Sequence, residues 1–157
     1  PLEEENRPQR PVQNEFLALA DHNEIETGAF GGVRSDGSTE LTRYEQAAGF
    51  YNDKKYRQAL KLLQEPDSTQ LQQFLYLRAY TYYKVGLFDL AGEDFRAFRQ
   101  FRFAQKKYDA QRGEILCLLR TMPKSKAALL TVLDEIIAVE THTHRDKALE
   151  LKKALGD

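Results

Sequence analysis

The most constraining feature of this sequence is a repeated order of aromatic, turn and small residues. Each copy holds an aromatic pair, a turn residue, another aromatic, a small residue and a large apolar residue. The first copy is Phe50-Tyr51, Lys54, Tyr56, Ala59 and Leu63, and the second is Tyr82-Tyr83, Gly86, Phe88, Ala91 and Phe95. The offset is 91 − 59 = 32 residues, close to the roughly 34-residue period of helix–turn–helix repeats. The period therefore predicts stacked helical hairpins.

Size and charge limit the classes of function. The 157 residues are enough for one domain with a single core. The 24 acidic and 23 basic residues nearly cancel, so net charge gives no long-range attraction to nucleic acid or anionic lipid. Cys117 is the single cysteine and has no partner for an internal disulfide. The chain begins at Pro1 and shows neither a signal peptide nor a membrane span, so an upstream targeting or membrane segment that was removed is an alternative we retain.

The N-terminal part is predicted to be an arm and a loop. Residues 1–12 combine prolines with charges and are expected to be extended. Residues 13–20 (QNEFLALA) can form one or two amphipathic turns that pack their apolar side chains against the repeats. Glycine-rich residues 28–38 predict a loop. The chain thus divides into this arm at residues 1–38 and a helical domain at residues 39–157.

The helical domain is predicted to contain seven helices. Ser38 or Thr39 caps the first, Asp67 and Gln70 form a capping box for the third, and Pro123 occupies the first turn of the sixth. Their expected ranges are 39–52, 55–65, 69–84, 88–103, 107–121, 123–139 and 144–155. Alternating β-branched residues are almost absent, so the predicted class is all-α.

On these residues the chain resembles the tetratricopeptide repeat family, in which helices A and B of each unit pair as antiparallel neighbours. Ala47 and Ala79 match the close-packing position of helix A, and Ala59 and Ala91 match the small position that opens helix B. A third, looser unit places Leu116, Leu119, Ala128 and Val132 on the corresponding positions. The resemblance implies a right-handed α-α superhelix of about three degenerate hairpins plus a C-terminal capping helix. An irregular helical bundle is the alternative.

A narrower resemblance concerns the order of segments. An acidic arm, a glycine-rich loop with Arg34, degenerate repeats and the closing segment are similar to those of bacterial tetratricopeptide proteins tethered to the inner membrane of Gram-negative cells. That resemblance implies a periplasmic location, with the arm as a spacer after a membrane anchor. A cytoplasmic location is the alternative.

The family resemblance also implies a concave groove lined by the A helices. Carried over to this chain, the groove residues are Tyr44, Tyr51, Asn52, Gln73, Tyr76, Tyr80, Tyr83, Lys84, Gly113, Cys117 and Arg120. Tyrosine is enriched at interface hot spots because it offers a large contact area with a polar tip. We therefore expect at least three of the five tyrosines to be exposed, with Lys84 and Arg120 attracting acidic groups of a peptide.

Two other patterns favour ordinary packing over a functional site. Residues 95–107 interleave aromatics with arginine and lysine. This pattern predicts either a site for nucleic acid or an acidic peptide or, as we prefer, a helix with Phe95 and Phe98 in the core and its arginines outward. His142 and His144 provide too few ligands for a metal site and are interpreted as a polar helix connection. The carboxylates interpreted as surface charge are Asp53, Asp94, Glu135 and Glu140.

The sequence therefore predicts a non-enzymatic scaffold that binds a peptide or protein segment in a tyrosine-lined groove. No catalytic residue, cofactor or metal ligand is expected, and nucleic acid is not an expected partner. The alternatives are a membrane-associated regulatory or signalling component that acts through self-association as a homodimer, and a nucleic-acid-binding helical protein.

Overall fold

The computed structural model describes residues 41–102 and 106–156, so the predicted arm at 1–38 and the boundary after it lie outside the described residues. This part of the chain contains seven α-helices and no strand, which confirms the all-α class. The elements are α1 (Arg43–Asn52), α2 (Tyr56–Leu63), a 3-10 turn (Ser68–Gln70), α3 (Leu71–Lys84), α4 (Phe88–Arg99), α5 (Lys107–Arg120), α6 (Lys126–Ile137) and α7 (Arg145–Ala154).

Helix starts differ from the sequence prediction at three places. Thr42, not Ser38 or Thr39, caps α1, and it forms a capping box in which the Glu45 amide donates to the Thr42 hydroxyl at 3.2 Å. Asp67 caps the 3-10 turn rather than α3, because its carboxylate accepts from the nearby Thr69 amide at 2.9 Å. Pro123 lies in the turn ahead of α6, whose N-cap is Ser125, so its predicted place inside the helix was wrong.

Two helical hairpins turn through a left-handed residue at the same repeat position. Gly86 follows α3 with φ of 82°, and Lys54 follows α1 with φ of 61°. The positions differ by 86 − 54 = 32 residues, which is the offset of the sequence match. Lysine is rarely left-handed because its Cβ crowds the following carbonyl oxygen. The repeated backbone is therefore retained in the first hairpin without the glycine that favours it.

The helices pack mainly against their neighbours along the chain. Each helix contacts the next one, from α1 through α7. In addition, α1 contacts α3 and α3 contacts α5, so the first helices of successive hairpins lie side by side. Within residues 41–102 and 106–156, no helix has both the length and the apolarity to cross a membrane.

The small residues of the first two units lie in the core between the helices. Ala47 and Ala79 in α1 and α3, together with Ala59 and Ala91 in α2 and α4, are all fully buried. A small side chain allows neighbouring helices to pack closely. The expectation that these four small residues are core is confirmed.

The third unit is only partly as predicted. Leu116, Leu119 and Val132 are buried, as expected. Ala128 is exposed, however, and the adjacent Leu129 is fully buried instead. The prediction for Ala128 was therefore wrong, because the buried stripe of α6 begins at Leu129 and continues through Val132, Leu133 and Ile136, which leaves Ala128 outside it.

Candidate interaction surface

The five tyrosines of the predicted groove are mostly buried. Tyr51, Tyr76, Tyr80 and Tyr83 are each 9% exposed or less, and Tyr44 is half-buried. The expectation that at least three would be exposed was therefore wrong. Their position on the first helices is as the resemblance implies, but the surrounding residues cover them.

Three of these rings pack against aromatics of α4. Ring centroids are 4.8 Å apart for Tyr76 and Phe98, 5.0 Å for Tyr80 and Phe95, and 5.3 Å for Tyr83 and Phe88. We call these six residues the aromatic layer. Edge and tilted contacts of this kind stabilise beyond simple area burial. The aromatic layer therefore joins α3 to α4, and Phe95 and Phe98 are confirmed as core residues.

The tyrosine hydroxyls inside the layer are shielded from water. The hydroxyls of Tyr76 and Tyr80 lie 3.3 Å apart and share a hydrogen bond. Burial raises the pKa of Tyr76 to about 12 and raises the pKa of Tyr80 further. Both hydroxyls thus stay neutral and act as structural hydrogen-bonding groups.

The remaining predicted groove residues differ in exposure. Asn52 and Gln73 are exposed, while Lys84 and Arg120 are half-buried. The Arg120 guanidinium lies over the Phe88 ring, 5.8 Å from its centroid, at the edge of the aromatic layer. Gly113 and Cys117 are buried in α5, and burial raises the pKa of the Cys117 thiol. The polar residues of the predicted set therefore reach solvent and the apolar ones do not.

An ion pair inside the second hairpin was missed by the sequence interpretation. Asp94 was expected to be surface charge, but it is buried on α4 and accepts two hydrogen bonds from Arg78 on α3, at 2.6 and 2.9 Å. This pairing raises the pKa of Arg78. Bidentate contacts of this type are strong and directional. Asp53 and Glu140 are exposed, as predicted.

A second ion cluster joins α4, α5 and α6. The Glu114 carboxylate is only 1% exposed; it accepts from Arg96 at 3.1 Å and forms an ion pair with Arg99, whose Nε lies 2.8 Å away. Arg99 also contacts Glu135 of α6 at 2.8 Å. The arginine-rich segment therefore places two of its positive charges against buried or neighbouring carboxylates, which gives no support to a nucleic-acid site. The signal in the sequence was a glutamate directly before the apolar run at residues 115–119.

The two histidines link α5 to the α6–α7 connection by hydrogen bonds. His142 Nδ1 accepts from the His144 amide at 3.0 Å, so His142 Nε2 carries the proton and donates to Gln111 Oε1 at 2.8 Å. His144 contacts the Asp109 carboxylate at 3.0 Å. Burial, with the charge of His144, lowers the pKa of His142 to about 4. The described residues contain no group of three or more potential metal ligands, and the histidines fit the predicted polar connection.

An apolar cavity opens between α5, α6 and α7. Its volume is about 230 Å³, and its apolar walls come from Ile115, Leu116 and Leu119 of α5 and Leu151 of α7, with Leu133 of α6 as the floor. Arg112, His144, Lys147 and Glu150 also line it. We call this space the α5–α7 cavity. Sequence periodicity could assign its walls to apolar helix faces but not reveal that the faces leave a space.

No family model, curated protein or solved structure matches this chain. The arrangement of the described residues themselves is therefore the basis for the functional argument.

Proposed function

We propose that this chain is a non-enzymatic scaffold of tetratricopeptide-like hairpins that binds a peptide or protein segment. The observation that carries the proposal is the side-by-side packing of the first helices, α1 with α3 and α3 with α5. In this proposal the residues of these helices that reach solvent form the binding face. Repeat proteins use such faces for extended ligands because each hairpin adds one more strip of surface.

The spacing of small residues supports a repeat over an irregular bundle. Buried small residues occupy Ala47, Ala79 and Gly113 of the three first helices, at offsets of 79 − 47 = 32 and 113 − 79 = 34. In the second helices, Leu63, Phe95 and Leu129 are the corresponding large buried residues, at offsets of 32 and 34. When Gly113 is aligned with Ala79 and Leu129 with Phe95, the third unit follows the second at an offset of 34 residues. This offset agrees with the roughly 34-residue period of the family. The resulting architecture is a superhelix of three hairpins with α7 as the capping helix.

The burial of the tyrosines changes which residues would contact a ligand. In this proposal the aromatic layer holds α3 and α4 rigidly together, and the ligand meets the polar residues around it. Asn52 and Gln73 offer amide groups, and Lys84 and Arg120 offer positive charge. A rigid face limits the entropy lost on binding. An acidic segment of a partner is the ligand chemistry that suits this face.

Charge reversal on this face tests the proposal. The face variant combines Lys84→Glu with Arg120→Glu. The control variant combines Lys61→Glu in α2 with Lys126→Glu in α6, and both of these lysines are exposed. Immobilised wild type and both variants are incubated with bacterial lysate and membrane extract, after circular dichroism has shown equal helical content. We expect proteins retained by the wild type and the control to be lost from the face variant. Identical retention by all three chains would refute the proposed face.

A second candidate is self-association, and one observation favours it. Leu87 and Leu90 are 46% and 43% exposed and flank the half-buried Phe88 at the start of α4. Neighbouring exposed leucines are a common feature of association surfaces. Sedimentation of the purified chain, compared with a Leu87→Ser and Leu90→Ser variant, measures this directly. A wild type that sediments as a monomer at high concentration would exclude it.

A further inference from the structure

The α5–α7 cavity lies beside a pair of helices that do not meet. Among the described residues, α1 contacts α3 and α3 contacts α5, whereas α5 and α7 do not contact each other. Protein interiors rarely leave a space larger than a water molecule. The volume of the cavity is about 230 Å³, and an apolar cavity of about 150 Å³ is already enough to bind benzene. The α5–α7 cavity is therefore large enough for a small molecule.

The residues that line the cavity fall into an apolar set and a polar set. The polar side chains reach solvent, since Lys147 and Glu150 are exposed and Arg112 and His144 are half-buried. The apolar side chains are each 7% exposed or less, and they are Ile115, Leu116, Leu119, Leu133, Ala148 and Leu151. Aliphatic side chains cannot hydrogen-bond, so a polar group of a ligand is stable only beside the polar set. The lining thus suits a molecule with an apolar body and one polar end.

The charges of the polar set select the sign of that polar end. Arg112 and Lys147 are cations, and Glu150 is the one acid among the described residues that line the cavity. Arginine and lysine each carry several N–H donors, so both can donate to a ligand in addition to the protein groups with which they interact. Hydrogen bonds from such cations to a carboxylate are stronger than those between neutral groups. The polar end that fits is therefore an anion.

We propose that the α5–α7 cavity binds a small carboxylic acid with an apolar body. Scaled from benzene in about 150 Å³, a cavity of about 230 Å³ holds about nine apolar carbon atoms. The body lies among the leucines of the three helices, and the carboxylate accepts from Arg112 and Lys147. A peptide suits the cavity less well, because its amide groups would lie against aliphatic side chains. The ligand class is thus a medium-chain monocarboxylate, of which decanoate is an example.

This site is separate from the proposed binding face, since Lys84 and Arg120 do not line the cavity. A bound acid touches α5, α6 and α7 at once and replaces the contact that α5 and α7 lack. A ligand that binds only the folded chain also stabilises it. The acid therefore stabilises the C-terminal end of the array, whether or not a protein partner binds elsewhere.

Titration of the full chain with a homologous series of acids tests the site. Hexanoate, octanoate, decanoate and dodecanoate are each added below the concentration at which they self-associate, to protein labelled at its leucine and isoleucine methyl groups. We expect saturable shifts of the methyl signals of Ile115, Leu133 and Leu151, and none for Leu60 and Leu63 of α2. Each buried methylene strengthens binding by about fourfold. The affinity should therefore rise roughly tenfold from each acid to the next as far as decanoate, and level off at dodecanoate.

Matched variants separate the charge and the volume of the site from nonspecific binding. Lys147→Gln should weaken decanoate binding roughly twofold to fivefold. Lys153→Gln is the control, because Lys153 is an exposed lysine of the same helix that does not line the cavity, and it should leave the affinity unchanged. Ala148→Leu fills part of the cavity, so the affinity should level off at an acid shorter than decanoate. Decylammonium, which has the opposite charge on an alkyl chain, should bind more weakly than decanoate.

Five other outcomes would each overturn the inference. Three concern the acids: no saturable shift, equal affinity for decanoate and decylammonium, or equal weakening by Lys147→Gln and Lys153→Gln. Shifts centred on Leu87 and Leu90 would place the acid on the exposed leucines instead. A peptide ending in leucine that shifts the cavity methyls at lower concentration than decanoate would make a peptide carboxylate the ligand. Because no protein partner is added and Lys84 is unchanged, a failure here is distinct from a failure of the proposed binding face.

Discussion

Three helical glycines provide a graded test of how closely α4 and α5 approach. A Cβ built on Gly113 of α5 would lie 2.6 Å from the Phe95 ring of α4, with two further ring atoms within 2.8 Å. A Cβ on Gly92 of α4 would meet Cys117 at 3.5 Å, which is ordinary contact, and one on Gly49 of α1 would meet nothing within 4 Å. The same Gly→Ala change therefore meets three different surroundings.

The expected magnitudes follow from two opposing terms. Alanine is favoured over glycine in a helix by about 1 kcal/mol, and this term applies to all three positions. At Gly113 the contact must lengthen from 2.6 Å to at least 3.4 Å, but Phe95 is fully packed and its ring rests against Tyr80. Overpacking of this type costs roughly 1–3 kcal/mol or more. We expect Gly113→Ala to lower the free energy of unfolding by up to about 2 kcal/mol net, while Gly49→Ala and Gly92→Ala raise it by up to about 1 kcal/mol.

Urea unfolding followed by far-UV circular dichroism measures these differences. In a double variant, Phe95→Leu removes the ring, so the penalty of Gly113→Ala should become smaller than it is beside Phe95. If Gly113→Ala is as stable as Gly92→Ala, the close approach of the two helices at this point is refuted. A penalty that is unchanged by Phe95→Leu would place the clash elsewhere.

Three further outcomes are expected. Lys54→Gly removes the strain of a left-handed lysine, so the urea midpoint should rise and the free energy of unfolding should increase by up to about 1 kcal/mol. Gly86→Ala should lower the midpoint. A lower midpoint in Lys54→Gly would contradict the left-handed conformation at residue 54. Tyr80→Ala should lower the free energy of unfolding by about 3 kcal/mol or more because it empties the aromatic layer, and a stability equal to the wild type would show that the ring is not core. The pKa of His142 is about 4 in the folded state against 6.5 in the unfolded chain. Between these two values the unfolded state binds more protons than the folded state. The free energy of unfolding should therefore fall by up to about 3 kcal/mol as pH decreases from 6.5 to 4. That fall should be absent in His142→Asn, measured by urea unfolding at each pH with Gln111 and Asp109 unchanged; an equal fall in the variant would assign it to other groups.

Local features of the repeat could be predicted from the sequence because they depend on residues close along the chain. The hairpin period can be identified from the spacing of Ala59 and Ala91 and from the break at Gly86. None of these features requires knowing which helices pack against each other. Helix ends were less certain. Thr42 competes with Ser38 and Thr39 as a cap, and only Thr42 is followed at the third position by a glutamate that completes the box.

The exposure of the tyrosines could not be predicted, since it depends on neighbours that are distant in sequence. Helix α3 contacts α1, α2, α4 and α5, and a helix surrounded in this way is buried on nearly all sides. A stripe such as Tyr76, Tyr80 and Tyr83 has the same spacing whether it faces a groove or a neighbouring helix. The aromatics of α4, with Phe95 and Phe98 at matching spacing, were the only sign in the sequence that the stripe has a packing partner.

The ion pairs fix how the helices of the described part are placed along one another. Apolar contacts alone tolerate sliding of one helix along another, because they are not directional. Arg78 with Asp94 links the two helices of one hairpin, whereas Glu114 with Arg96 and Arg99 links one hairpin to the next. Directional charged hydrogen bonds hold only at the correct register. We therefore expect the register of these helices to depend on buried charge as well as on the buried small residues. A ligand of the proposed face would then meet a geometry that exists before it binds.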